Sequence, residues 1–159
     1  MALEIEKKFL LANEQWRDSI ERSLAMRQAY LGGDGVSVRV RFEGDQARLN
    51  IKQMVIGPTR LEFEYTIPLA DARRLIDLAS GGGTEKIRHY VRHAGMLWEI
   101  DGFSGENEGL IVAEIELDDE NQVFERPPWL GKEVTGEERY YNVALALNPY
   151  RNWGSGQPK

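Results

Sequence analysis

The chain contains no cysteine, which excludes disulfide bonds and thiolate metal sites. It has no apolar run of the ~20 residues that a membrane-spanning helix needs, and no signal-peptide pattern opens it. No basic run stands out, and a net charge of −6 argues against general binding to nucleic acids or membrane surfaces. We therefore expect a cytoplasmic protein with neither a nucleic-acid nor a membrane partner.

The composition is unusual in its balance of apolar and charged residues. At 159 residues the chain is most simply one domain with a proper core. Its hydrophobic content of 42% is slightly low for such a domain, and its charged content of 29% is slightly high. Both deviations follow if charged side chains line an interior.

The first strand, Leu3 to Leu11, shows how charged side chains could line an interior. Side chains alternate along a strand, so Glu4, Glu6 and Lys8 share one side. Residues two apart lie only ~6–7 Å from each other. Two carboxylates that close repel unless a cation lies between them, and an oxygen-ligated Mg²⁺ or Mn²⁺ would resolve the conflict. The alternative is an ordinary strand with one face in water.

The same alternation returns down the chain in short segments joined by short turns, which favours antiparallel pairing. The predicted strands are 3–11, 21–31, 36–43, 47–53, 60–67, 84–93, 96–103 and 110–118, with a last short strand at 129–135. The predicted helices are 14–20, 69–79 and 137–147. The last helix would plug one end of a tunnel or be a plain amphipathic helix, and we favour the plain helix.

Most of these strands have one apolar and one charged face, and the charged faces mix signs. The acids are Glu4, Glu6, Glu62, Glu64, Glu99, Asp101, Glu114 and Glu116, and the bases are Lys8, Arg39, Arg41, Lys52, Arg60, Lys86, Arg88 and Arg92. Exposed ion pairs stabilise a fold by only ~0–1 kcal/mol each, so a sheet with this face in water gains little from them. One strong helix and two weaker ones also cannot cover eight open strands. The pattern favours a closed barrel with the charges inside over a sheet with one wet face.

An interior that carries both acids and bases favours a particular class of ligand. Lysine and arginine bind phosphate oxygens, whereas carboxylates repel a polyanion unless a divalent cation bridges the two. Together they indicate a metal-chelated polyphosphate as the ligand.

Several segments resemble the CYTH superfamily, the triphosphate tunnel metalloenzymes, in matching order along nearly the whole chain. The first, Glu4-Ile5-Glu6-Lys7-Lys8, looks like the ExExK signature of that family. The others are Arg39-Val40-Arg41, Ile51-Lys52, the segments 60–64, 86–88 and 98–101, and the run 105–110 ahead of 113–116. The resemblance implies an α+β fold, namely a closed antiparallel eight-stranded tunnel barrel with a charged interior and a few flanking helices. Residues 1–153 would form this single domain and 154–159 a flexible tail.

The resemblance also implies roles for individual residues. The metal ligands for Mg²⁺ or Mn²⁺ would be Glu4, Glu6 and Glu116, with Glu114 close by. The phosphate-binding residues would be Lys8, Arg39, Arg41, Lys52, Arg60, Lys86 and Arg88. Glu62 and Glu64 would orient those bases or help to place a second metal, and Tyr30 matches a tunnel tyrosine of short bacterial members. We count Lys8, Tyr30, Glu62, Glu64 and Lys86 as the candidate catalytic residues.

The expected activity is metal-dependent hydrolysis of a triphosphate, with inorganic tripolyphosphate as the first choice because the chain lacks an obvious base-recognition insertion. Thiamine triphosphate would need an aromatic clamp, for which Trp16, Trp129 and Trp153 are candidates with packing as the alternative role. Adenylyl cyclases of this family usually carry a His-Phe element ahead of ExExK, so a start at Met1-Ala2 counts against cyclase activity. RNA 5′-triphosphatase activity would favour a more basic entrance to the tunnel. A non-catalytic polyphosphate- or nucleotide-binding module is the alternative from another class. Outward apolar faces would be covered by helices or by a second copy of the chain.

Overall fold

Nine strands make up most of the fold. The computed structural model describes residues 3–32, 35–79 and 82–153, so the predicted tail at 154–159 lies outside the described residues. The strands are β1 (Leu3–Leu11), β2 (Ile20–Gly32), β3 (Val36–Glu43), β4 (Gln46–Gln53), β5 (Thr59–Ile67), β6 (Gly83–His93), β7 (Met96–Phe103), β8 (Ile111–Glu116) and β9 (Leu130–Glu133). The helices are α1 (Leu69–Asp77) and α2 (Asn142–Leu147), together with short 3-10 turns. No described helix is long and apolar enough to cross a membrane.

The sheet closes on itself. Its order is β5-β4-β3-β2-β6-β7-β8-β1-β9, and an additional pairing joins β5 to β1. That closure consists of three antiparallel pairs, Leu3 with Leu61, Glu4 with Arg60 and Ile5 with Thr59. Further along β1 the same edge pairs with β9 instead. The predicted eight-stranded antiparallel barrel is therefore confirmed, with β9 as an extra strand, and the sheet with one wet face is wrong.

Apolar segments cover much of the outside of the barrel. Helix α1 packs its Ala72 against Val40 and Ala47 of β3 and β4, and all three are buried. The 3-10 turn Gln15–Ser19 places Trp16 against the outer face of the strands that carry Val91 and Trp98. On β5, by contrast, the outward side chains of Leu61, Phe63 and Tyr65 are 43%, 41% and 54% exposed. The outer face of β5 is therefore an uncovered apolar surface.

The C-terminal segment differs from the prediction. The expected helix 137–147 is a 3-10 turn, Glu138–Tyr140, followed by α2, because Tyr141 between them has an extended backbone with ψ of 139°. Tyr140 and Leu145 of this segment are buried in one apolar cluster with Phe103 and Val112. Phe103 and Val112 share the inward phase of Asp101 and Glu114 on their strands. The segment thus packs into one end of the barrel, and the preference for a plain amphipathic helix was wrong.

Other element boundaries shift by one or two residues. The expected helix 14–20 is the 3-10 turn Gln15–Ser19, and the expected helix 69–79 ends at Asp77.

Arg92, which the alternation placed inside, is more than half exposed and pairs with Glu21 at 3.4 Å. It follows Tyr90, a residue that still lines the interior, so it lies past the end of the cavity.

Candidate active site inside the barrel

The inward faces line an open cavity of about 280 Å³. Every residue predicted to belong to the site, except Lys86, lies on its wall; these are Glu4, Glu6, Lys8, Tyr30, Arg39, Arg41, Lys52, Arg60, Glu62, Glu64, Arg88, Glu114 and Glu116. Carboxylates and cations are present in nearly equal number, because the alternation of eight strands turns both kinds inward. The cavity therefore has no uniform charge and must bind ligands through its local arrangement of acids and bases.

The predicted metal ligands lie together on two neighbouring strands. In the β1–β8 ladder, Glu6 stands opposite Glu116 and Lys8 opposite Glu114. Like charges directly opposite each other in a ladder repel. Burial first, and then the charge of Glu114, raise the pKa of Glu6 well above its ordinary value. Burial at Glu114, by contrast, is outweighed by Lys8 and Arg88, which lower its pKa to about 2, so cations reach Glu114 more effectively than Glu6.

Glu4 lies in the same acidic region. Burial raises its pKa to about 7, against the attraction of Lys52 and with further contributions from Glu62 and Glu114. The Lys52 ammonium is 3.2 Å from Glu4 and 3.3 Å from Glu62, so one cation serves two carboxylates. Burial would lower the pKa of Lys52, but the carboxylates of Glu6, Glu4 and Glu62 outweigh it and raise that pKa.

A second network organises the adjacent strands β6 and β7 around Asp101, which is fully buried, and its Arg88 lies 3.8 Å from Glu114 of β8. Arg88 donates to both Asp101 oxygens, from Nε at 2.8 Å and from Nη2 at 2.9 Å. Its Nη1 donates to Glu99 at 2.7 Å. Burial would raise the pKa of Asp101, but Arg88 and Lys86 outweigh it and hold that pKa well below its ordinary value. Asp101 therefore remains ionised and fixes the guanidinium of Arg88 at the cavity wall.

Lys86 lies behind this wall rather than on it. Its Nζ donates to Asp101 at 2.8 Å and to the Asn142 Oδ1 at 3.2 Å, and its side chain is 1% exposed. Burial lowers the pKa of Lys86 to about 7, although Asp101 opposes the shift. Lys86 is consequently one of the few side chains here that can change charge near neutral pH.

Arg39 and Arg41 face the cavity from β3, two residues apart on one side of the strand. Burial, followed by the charges of Arg39 and Arg88, lowers the pKa of Arg41. Arg41 is held by Gln28 at 2.9 Å and by Glu43 at 3.1 Å. Two buried guanidinium groups on one strand face are a favourable setting for an anion.

Three lining residues carry buried polar atoms with no hydrogen-bond partner among the described residues. These atoms are Arg39 Nε, both amide atoms of Asn50 and the Tyr141 hydroxyl. Asn50 stands opposite Arg39 in the β3–β4 ladder and is 1% exposed. Because buried polar groups are nearly always hydrogen-bonded, this group of atoms indicates that a polar ligand belongs in the cavity.

Some lining residues were not among the predicted site residues. Asn50 could have been found, since it shares the inward phase of Lys52 on β4. Tyr141 and Asn142 gave no such signal, because they come from the C-terminal segment, which has no strand alternation. Only the packing of that segment into the barrel brings them to the cavity.

The carboxylates of the cavity wall are the candidate ligands of a divalent cation. Within the described ranges, no three His, Cys, Asp or Glu side chains already form a metal-binding group. The acids are held by cations instead, with Lys52 on Glu4 and Lys8 3.6 Å from Glu114. Their chemistry nevertheless fits, because Mg²⁺ and Mn²⁺ prefer carboxylate oxygens and burial, which raises the pKa values of Glu4 and Glu6, penalises these carboxylates when they are charged and without a bound cation.

Comparison with known proteins agrees with this geometry. The CYTH domain model matches residues 2–143. A protein of Acetivibrio thermocellus named inorganic triphosphatase is 44% identical over 155 residues, which covers 96% of this chain and 99% of that protein. An inorganic triphosphatase of Nitrosomonas europaea is 35% identical over 150 residues, covering 91% and 97% respectively.

The fold is similar to that of a solved member. The crystal structure of an inorganic triphosphatase superimposes with a TM-score of 0.68 at 34% identity, and the match covers 92% of this chain and 96% of that chain. The matched family model, these relatives and the closed charged barrel together show that the chain belongs to the CYTH domain family.

Proposed function

We propose that this protein is a metal-dependent triphosphatase that hydrolyses inorganic tripolyphosphate to diphosphate and phosphate. The observation that carries the proposal is the barrel cavity, in which buried arginines and lysines face carboxylates across one enclosed space. The two relatives named inorganic triphosphatase support the same activity.

The cations of the wall would bind the phosphate oxygens. Arg39, Arg41 and Arg88 can do so bidentately, while Lys8, Lys52 and Arg60 add further donors. Because Asp101, Gln28 and Glu43 already hold two of the guanidinium groups, little side-chain freedom is lost when the substrate binds. Catalysis would therefore come mainly from positioning and electrostatics.

Glu4, Glu6, Glu114 and Glu116 would hold Mg²⁺ or Mn²⁺. A bound cation supplies Lewis-acid neutralisation of charge on the phosphoryl oxygens. For the carboxylates to reach it, Lys52 and Lys8 must turn from these acids towards the phosphates, which their long side chains allow.

In the reaction, a water would attack the terminal phosphorus in line with the leaving diphosphate. Lys8 would bind the transferred group, and Glu62 and Glu64 would orient the neighbouring bases Lys52 and Arg48, which they contact at 3.3 and 3.4 Å. Tyr30 accepts a hydrogen bond from Gln28 Nε2 at 3.4 Å and offers its hydroxyl proton to the cavity. Lys86, whose pKa is about 7, would be charged or neutral behind the wall according to the pH.

The lining also bears on the substrate. Trp16, Trp129 and Trp153 are buried in apolar clusters and none lines the cavity, which removes all three candidates for an aromatic clamp. The aromatic rings that do line the cavity are those of Tyr30, Tyr90 and Tyr141. The nucleoside triphosphatase, adenylyl cyclase and non-catalytic alternatives have no observation in their favour.

The test is phosphate release from tripolyphosphate with EDTA, with Mg²⁺ and with Mn²⁺, beside ATP and thiamine triphosphate. We expect release only with a divalent cation and fastest from tripolyphosphate. Faster release from ATP would overturn the substrate assignment. Binding of tripolyphosphate without turnover under any condition would favour the binding module.

Two further expectations belong to this proposal. A cytoplasmic location remains a prediction, which fractionation of cells that express the protein would check. A homodimer through the outer face of β5 is also a prediction, supported by the exposure of Leu61, Phe63 and Tyr65.

A further inference from the structure

Tyr141 lies on the cavity wall, in the C-terminal segment that packs into one end of the barrel. Its ring lies beside two candidate phosphate-binding residues, with the Lys8 Nζ 5.6 Å and the Arg60 Cζ 4.9 Å from its centroid. Both distances fall within the range of cation–π contacts. The backbone is fixed on both sides, since Tyr141 N donates to Glu138 O at 3.0 Å and its carbonyl accepts from Leu145 N at 2.9 Å. The ring therefore extends from a hydrogen-bonded backbone and lies beside both cations.

The hydroxyl of Tyr141 has no such partner. It is buried, and no described residue accepts or donates a hydrogen bond to it. Tyr141 itself lines the cavity. A buried polar group without a partner lowers stability, so an unpaired hydroxyl on a ring beside two candidate phosphate-binding cations indicates a role that needs a ligand.

We propose that the Tyr141 hydroxyl donates a hydrogen bond to a phosphate oxygen of the bound triphosphate, which makes Tyr141 a substrate-binding residue contributed by the C-terminal segment. This inference rests on the proposed function, because Lys8 and Arg60 identify the ligand as a phosphate chain. A phenol is neutral and donates one hydrogen bond, so it adds a directed contact without adding charge. Lys8 Nζ is already held 3.1 Å from the Tyr140 carbonyl, so the same segment would position two donors.

The experiment is Tyr141→Phe, which keeps the ring and both cation contacts and removes only the hydroxyl. Because hydrogen bonds to charged groups are among the stronger ones, we expect kcat/KM for tripolyphosphate to fall about tenfold or more. We also expect calorimetry in EDTA to show weaker binding of tripolyphosphate to this variant. Tyr65→Phe removes the same group from the outer face of β5, where Tyr65 is 54% exposed, and should change neither value.

Thermal unfolding without ligand separates binding from a structural role. Since the hydroxyl has no partner in the protein, its removal should leave the melting temperature unchanged or raise it. A lowered melting temperature with unchanged kcat/KM and unchanged affinity would overturn the inference.

The outcomes also distinguish the two proposals. If the wild type hydrolyses tripolyphosphate and Tyr141→Phe matches it in kcat, KM and affinity, the inference fails and the proposed function stands. If the wild type only binds tripolyphosphate and Tyr141→Phe binds it more weakly, the proposed function fails and the inference stands. Absence of both binding and hydrolysis in the wild type overturns both.

Discussion

The cost of burying the Glu4 carboxylate in the barrel can be tested without measuring activity. Its side chain is 13% exposed, and burial raises its pKa from an ordinary 4.5 to about 7. A folded-state pKa above the unfolded value means that the folded protein holds this proton more tightly. The stabilisation is complete below pH 4.5 and is lost as the pH rises through about 7.

The perturbation is Glu4→Gln. The difference between the two pKa values corresponds to about 3 kcal/mol of lost stability at pH 8. Glutamine cannot be ionised, so the variant avoids that loss but gives up the 3.2 Å contact with Lys52. Lys52 keeps Glu62 at 3.3 Å, so the loss of one partner is partly compensated. We expect Glu4→Gln to be more stable than the wild type at pH 8 by about 1–3 kcal/mol.

The assay is urea denaturation in EDTA at pH 5 and pH 8. At pH 5 most of the advantage should vanish, because folded Glu4 is then protonated. Adding Mg²⁺ at pH 8 should stabilise the wild type by mass action and leave Glu4→Gln nearly unaffected. The control is Glu64→Gln, which removes a carboxylate that is 38% exposed and pairs with Arg48; it should not reproduce the gain in stability that Glu4→Gln shows at pH 8. A Glu4→Gln variant less stable than the wild type at pH 8 would refute the argument that burial destabilises the charged Glu4 carboxylate.

Three other substitutions test the metal ligands, the Asp101 network and the outer face of β5. Glu116→Ala should abolish metal-dependent turnover while circular dichroism shows an intact barrel; full activity would contradict the ligand assignment. Asp101→Asn leaves Lys86 and Arg88 buried without their carboxylate, so denaturation should show a loss of about 3–5 kcal/mol, and a change under about 1 kcal/mol would contradict the network. Phe63→Glu places a charge on the uncovered face of β5, so sedimentation velocity should show a wild-type dimer and a variant monomer; a wild-type monomer would contradict the homodimer.

Strand alternation accounts for how much of the site was predictable. A period of two residues placed Glu4, Glu6 and Lys8 on one side of β1, and Arg39 and Arg41 on one side of β3. All of these side chains line the cavity. Each assignment depends only on neighbours in the chain, so it did not need the fold.

Alternation does not say what lies across from a side chain or where a face ends. Lys86 has the correct phase but is covered by Asn142, which is 56 residues away. Arg92 has the correct phase too, yet it lies beyond the cavity and pairs at the surface. Both outcomes depend on where other segments pack.

The sequence by itself determined which faces of the strands are charged, and that pattern predicted a closed barrel rather than an open sheet. Only the tertiary structure decided that three short pairs between β1 and β5 close the barrel and that the C-terminal segment enters one end. The physical reason is the separation along the chain over which each effect acts. Alternation is a local property of the backbone, whereas the placement of Tyr141 beside Lys8 and Arg60 arises from packing between segments far apart in the chain.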